Sequence, residues 1–188
     1  YLNSNGNKIG FTHVLAIGSK NTLESNQNSF TDLKNFKDNC SSTIFGCLSY
    51  DLKNETEELQ SENNAYIETP NLCFFEPEII IELSIGVAEI HSYNPEYTYS
   101  RINDITLTKN TQLAYPYSSR TTKEDYITTF NSIKKNLIEG DIYELNYCID
   151  FYNSKLPEFS PINSYLELSR NNPSPFSTLF KWNGIYTI

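Results

Sequence analysis

The sequence predicts a mixed chain of short strands and amphipathic helices. Three observations carry this. A long β-branched run spans Glu78 to Ile90. An apolar face recurs at steps of three and four from Tyr126 to Ile138. An Asn183-Gly184 pair then separates two short apolar runs. Apolar residues make up 38% of the 188 positions and aromatics 14%, enough to build a packed core rather than a disordered chain.

In chain order, Phe11 to Gly18 reads as a strand, followed by a polar stretch from Ser19 to Ser29. A short helix is expected from Ser29 to about Asp38, and a second strand from Thr43 to Tyr50. Gly46 inside that strand signals a bulge or a close backbone contact. Asp51 to Asn64 reads as a helical turn and an exposed loop, and Pro70 to Phe75 as an extended piece. Glu78 to Ile90 is then expected to be one long central strand, and His91 to Tyr117 a loop with a strand near Ile105.

The last third is sharper. Thr122 and Asp125 have the spacing of a capping box, with Asp where Glu or Gln is usual. Behind them Tyr126, Ile127, Phe130, Ile133, Leu137 and Ile138 form one helix face, which Gly140 ends. From Tyr143 to Phe151 apolar and polar residues alternate, so Glu144 and Asn146 would share one face of a strand. Ser160-Pro161 starts another helix, which ends before Asn171-Asn172-Pro173. Phe176 to Trp182 is a strand, Asn183-Gly184 a type I′ turn, and Ile185 to Ile188 a return strand. That return strand is shorter than its partner, so the natural chain is expected to continue. The sequence has no methionine, which places the natural N-terminus elsewhere or trims it.

Composition excludes several classes. A net charge of -9 with no basic run disfavours nucleic acid and anionic membranes. No run of 18 apolar residues suits a membrane span, and Tyr1 opens no signal-peptide pattern, so a cytoplasmic protein is expected. Cys40, Cys47, Cys73 and Cys148 contain no C-x-x-C pair, and His13 and His91 stand apart, which argues against a zinc site and for reduced thiols.

Three segments carry chemical information. Gly140 to Tyr147 joins helix to strand without slack, placing Glu144 and Asn146 either along a pocket or outward on an edge strand. Asn172-Pro-Ser-Pro-Phe-Ser177 reads as a rigid loop that could hold a small ligand, or as a plain helix stop and turn. Phe45 to Leu52 is either a core strand running into a turn or part of a motif.

Taken in order, these segments resemble one family, the chorismate-binding enzymes. The family includes component I of aminodeoxychorismate synthase and of anthranilate synthase, with isochorismate and salicylate synthases. Phe45–Leu52 is similar to its "G-x-x-x-Y-D" strand. Glu124-Asp125-Tyr126, Ile133-Lys134 and Ile138 to Tyr143 resemble its helix-to-strand passage, and Asn172 to Ser177 its "N-P-S-P-F/Y" loop. Glu144-Leu145-Asn146 favours the aminodeoxychorismate branch, where Asn is usual at the position of Asn146. Ala16-Ile-Gly-Ser19 stands where the anthranilate branch has "L-L-E-S".

The resemblance implies an α+β fold, an antiparallel β-sandwich with flanking helices, incomplete here. Residues 1–118 would form an N-terminal subdomain and 119–188 the start of the chorismate-binding domain. It implies amination of chorismate to 4-amino-4-deoxychorismate for folate synthesis, with ammonia from a glutaminase subunit. Mg2+ would be held by glutamates, beside a general-acid glutamate and a nucleophilic lysine. The family's "S-P-E" and "P-I-x-G-T" motifs do not occur in these residues, so the resemblance assigns neither a catalytic residue nor a metal ligand within the chain. It does imply a tryptophan-type pocket from Ser19, Pro175, Phe176 and Ser177, closed by Asn28, Ser29 and Phe30. Anthranilate synthase component I and a non-catalytic ligand-binding module remain the alternatives, with salicylate and isochorismate synthases behind them.

Overall fold

Every strand pairing among the described residues is antiparallel, and helices stand between the strands in sequence, so the fold is α+β. The computed structural model describes residues 1–6, 12–59, 64–106, 116–155 and 159–188. The chain forms two units, Tyr1–Thr108 with Tyr165–Ile188, and Lys109–Ser164.

The first unit begins with β1 (Leu2–Asn3), β2 (His13–Ile17), β3 (Asn21–Ser25), α1 (Ser29–Asn39) and β4 (Phe45–Leu48). A 3-10 turn at Tyr50–Glu55, β5 (Leu72–Glu76), β6 (Ile79–Ser84), β7 (Val87–His91) and α2 (Pro95–Asn103) follow. The second unit holds β8 (Ser118–Ser119), α3 (Lys123–Glu139) and β9 (Phe151–Tyr152). After these come α4 (Pro161–Asn171), β10 (Ser177–Thr178), β11 (Phe180–Trp182) and β12 (Ile185–Thr187).

One sheet of the first unit has the order β10-β1-β2-β6-β7, and a second has the order β3-β5-β4. Val14 and Ile81 are buried from the larger sheet, Leu72 and Cys73 from the smaller one, and Leu52 from the 3-10 turn. The β11–β12 hairpin meets the smaller sheet through Phe75, whose ring lies 6.5 Å from Phe180 and 6.3 Å from Trp182. Glu76, only 2% exposed, is held by Asn21, Ser41 and Ser42, so a buried carboxylate ties β3 and β5 to the chain after α1.

In the second unit Thr122 caps α3 by accepting from the Asp125 amide at 3.1 Å and donating to its carboxylate at 2.7 Å. Gly140 ends the helix at φ 84°, the left-handed cap its sequence position predicts. Tyr147 stacks on Tyr126 at 5.3 Å, which lays the segment after Gly140 against the helix. Arg120 binds Asp150 and covers the Tyr152 ring at 4.0 Å.

Several expectations are corrected. Glu78 to Ile90 is a hairpin rather than one strand, because Ile85 and Gly86 turn the chain and Gly86 takes φ 75°. The polar stretch 19–29 contains β3, which is stabilised by pairing with β5 despite its polarity. The loop 91–117 contains α2, capped by the Asn94 side chain with Pro95 in its first turn, and Ile105 follows that helix instead of forming a strand. Of the alternating run 143–151 only Phe151 pairs, with Ser119; a pattern of period two orders a strand only where a partner supplies hydrogen bonds. Phe176 to Trp182 divides into β10 and β11, which serve different sheets. Phe11 and parts of the expected loops, at 60–63 and 107–115, lie outside the described residues.

Candidate functional site

The proline loop feeds β10, and the register places Ser177 opposite Asn3 and Thr178 opposite Leu2. The strand beside the loop is therefore β1, which sequence reasoning did not assign. Its end is built by side chains. The Asn5 amide donates to the Ser174 carbonyl at 2.6 Å, and its carbonyl oxygen accepts from Ser169 of α4 at 3.0 Å. The Asn5 backbone amide donates to Asn3 Oδ1 at 2.8 Å. Asn3 and Ser4 are buried. Asn5 and Gly6 both have positive φ, at 49° and 81°, the same turn chemistry as Asn183 and Gly184. That Asn-Gly pair was the signal available in the sequence for a strand ending at Asn3.

A chain of hydroxyls continues from the loop. Ser177 Oγ donates to Tyr165 Oη at 2.9 Å, and the Tyr165 ring, 2% exposed, meets Tyr1 edge-on at 5.5 Å. Tyr1 Oη lies 2.6 Å from His13 Nδ1 and its ring stacks on the imidazole. Burial, and then Tyr165, push the Tyr1 phenol above its ordinary value, so it remains a donor at neutral pH. Such a group can orient a small polar ligand through hydroxyls.

The other anticipated residues lie elsewhere. Ser177 is opposite Asn3, which is opposite His13. Ser19 lies past the other end of β2 from His13, roughly 13 Å of strand away and beyond the bend at Gly18. Ser19 lines a different cleft of about 840 Å³ with Gly18, Glu24, Phe75, Lys181 and Trp182. There Glu24 accepts from the Trp182 indole and, at 2.6 Å, from Asn183, fastening the tip of the β11–β12 hairpin to β3. Ser29 is fully buried at the start of α1, where its hydroxyl and amide both bind Glu55. Asn28 precedes it at φ 57°, and Phe30 borders a shallow apolar depression with Leu48, Tyr50 and Leu52. Pro175 and Phe176 are exposed beside β10. Glu144 and Asn146, in the second unit, are exposed on a segment without regular structure. The structure thus joins Pro175, Phe176 and Ser177 to β1 and gives Ser19 a separate surface.

Comparison with known proteins agrees with the motifs. Residues 4–188 match the family described as chorismate binding enzyme, and the chain belongs to that family. A curated relative, anthranilate synthase component 1 of Buchnera aphidicola subsp. Baizongia pistaciae (strain Bp), is 26% identical over 164 residues. That similarity covers 77% of this chain and 31% of the relative, so the chain spans about a third of the relative's length. Among the described residues no helix is long and apolar enough to cross a membrane.

Proposed function

We propose that the protein carrying this chain acts as component I of aminodeoxychorismate synthase, replacing the 4-hydroxyl of chorismate with an amino group from ammonia. The family match over residues 4–188 supports the chorismate class, and Asn146 in the Gly140–Asn146 passage supports this branch of it. The reaction needs a general acid to protonate the departing hydroxyl. No residue of this chain is assigned that role. Mg2+ held by glutamates would neutralise the substrate carboxylate. Among the described residues no group of three or more His, Cys, Asp or Glu could hold a metal ion. A glutaminase subunit would supply the ammonia.

A second reading, anthranilate synthase component I, is favoured by the name of the curated relative. Incubating the protein with chorismate, Mg2+ and an ammonium salt separates the two by product mass. Formation of 4-amino-4-deoxychorismate is the expected result. Anthranilate would establish the second reading, and no consumption of chorismate would leave a binding module.

The regulatory ligand in this reading is a tryptophan-type amino acid, held at the proline loop by Pro175, Phe176 and Ser177. The rigid loop and the exposed Phe176 ring suit a flat aromatic ligand. Calorimetry with tryptophan should show binding that Ser177→Ala weakens and Ser19→Ala leaves intact. Loss of binding in Ser19→Ala alone would move the pocket to the Glu24 cleft.

A further inference from the structure

Two of the four cysteines face each other across one rung of the smaller sheet. Cys47 of β4 is directly opposite Cys73 of β5, between the pairs Phe45–Phe75 and Leu48–Leu72. Directly opposed residues in antiparallel strands have Cα atoms about 4.5 or 5.5 Å apart, depending on the rung. Both values fall inside the range of about 4.4–6.8 Å that a disulfide spans. The two side chains also point the same way, because opposed residues share a face of the sheet. Both line one cavity of about 200 Å³, closed by Pro70, Phe180, Trp182 and Ile185.

Their environments differ in a useful way. Cys47 is half-buried at the edge strand, whereas Cys73 is 5% exposed on the central strand. An incoming reagent therefore meets Cys47 first, and Cys73 is placed to resolve the adduct. Trp182, the sole tryptophan of the sequence, walls the same cavity and can report on it.

We propose that Cys47 and Cys73 form a redox modification site, a cross-strand dithiol that a low-molecular-weight disulfide converts to an intramolecular disulfide. The Cys47 thiolate attacks one sulfur of the reagent, forming a mixed disulfide and releasing one thiolate. Cys73 then loses its proton and attacks the Cys47 sulfur, expelling the second reagent thiolate. The net change is two protein thiols oxidised, one reagent disulfide reduced to two thiols, and one S–S bond formed. The bond locks β4 to β5 beneath the β11–β12 hairpin. Burial, and then the neighbouring Cys47, raise the Cys73 thiol to about 11 in the dithiol; in the mixed disulfide the Cys47 charge is gone but the burial remains, so the second step accelerates as pH rises.

The test is to treat the full chain with oxidised glutathione under native conditions. Loss of two thiols and a mass lower by two hydrogen atoms are expected, and digestion with trypsin and chymotrypsin, which cuts at Phe45 between Cys40 and Cys47, should yield a peptide linking Cys47 to Cys73. Trp182 emission should fall and dithiothreitol should restore it. Cys47→Ser and Cys73→Ser should each abolish the linkage, and Cys40→Ser with Cys148→Ser should retain it. Four unchanged thiols, a glutathione adduct that persists on Cys47, or a bond from either residue to Cys40 or Cys148 would overturn the proposal. Thiol counts and peptide maps on the unmodified chain decide the question even where a serine variant fails to fold.

Discussion

The carboxylate of Glu55 grips Ser29 twice, accepting from its backbone amide at 2.7 Å and from its hydroxyl at 2.5 Å. Glu55 ends the 3-10 turn and Ser29 begins α1, so one side chain joins two elements 26 residues apart in sequence. A negative group at a helix N-terminus also meets the positive end of the helix dipole. The Ser29 hydroxyl bond, first among its causes, holds the Glu55 carboxyl below its ordinary value. Glu55→Gln should therefore loosen α1 while leaving the sheets intact. Hydrogen exchange should accelerate across Ser29–Asn39 and not across β2 or β6. Uniform acceleration everywhere would show that the contact is merely part of global stability.

Glu76 should make stability depend on acid. Bonds from the Ser41 hydroxyl, then Asn21, then Ser42 and the Ser41 amide, outweigh burial and lower its carboxyl from 4.5 to about 2. The folded value lies below the unfolded one. Its contribution is therefore present above about pH 4.5 and is lost as pH falls through 2. The urea midpoint should drop over that window, and Glu76→Gln should flatten part of the drop. An unchanged slope in the variant would remove Glu76 from the account.

Gly46 and Gly86 should respond to alanine for different reasons. At Gly46 a Cβ would stand 2.2 Å from the Cys73 carbonyl oxygen and 2.4 Å from the Phe74 ring. One of these is backbone and cannot yield without opening the β4–β5 pairing. At Gly86 nothing lies within 4 Å, but φ is 75°. Gly86→Ala should cost about 1–2 kcal/mol of left-handed strain. Gly46→Ala should cost more, about 3 kcal/mol, at the top of the overpacking range. Thermal melts of both variants decide the ranking.

Asn5 can be tested without disturbing its backbone. Asn5→Gly keeps the positive φ and deletes the bonds to Ser174 and Ser169. A loss of about 1–3 kcal/mol is expected, with faster proteolysis at the proline loop. If the loop is as resistant as before, Asn5 does not position it.

Local chemistry was legible wherever a rule acts within a few residues. The capping of α3 by Thr122, its stop at Gly140 and the Asn183-Gly184 turn all follow from their own side chains and φ preferences. The same rules also account for α2 and β1. Asn94-Pro95 starts α2 as Ser160-Pro161 starts α4, and Asn5-Gly6 closes β1 as Asn183-Gly184 closes β11. The turn at Ile85-Gly86 was hidden because one glycine inside a β-branched run also suits a continuous strand.

Chemical class came from the sequence as well, because the helix-to-strand passage and the proline loop are contiguous motifs whose order the chain preserves. The candidate site did not, because it depends on register. Ser19 and Ser177 were drawn together by their places in a motif series, yet β1 pairs with β10 and puts Asn3 against Ser177. Likewise Cys47 and Cys73 are ordinary thiols until β4 and β5 align them on one rung. Strand pairing is set by which faces bury together over separations of tens to hundreds of residues. The sequence by itself determined helix caps, turns and family, since those need only neighbours in the chain. Only the tertiary structure decided which strand borders the proline loop, which cysteines face each other and which carboxylates are buried, since those follow from hydrogen bonds made across the fold.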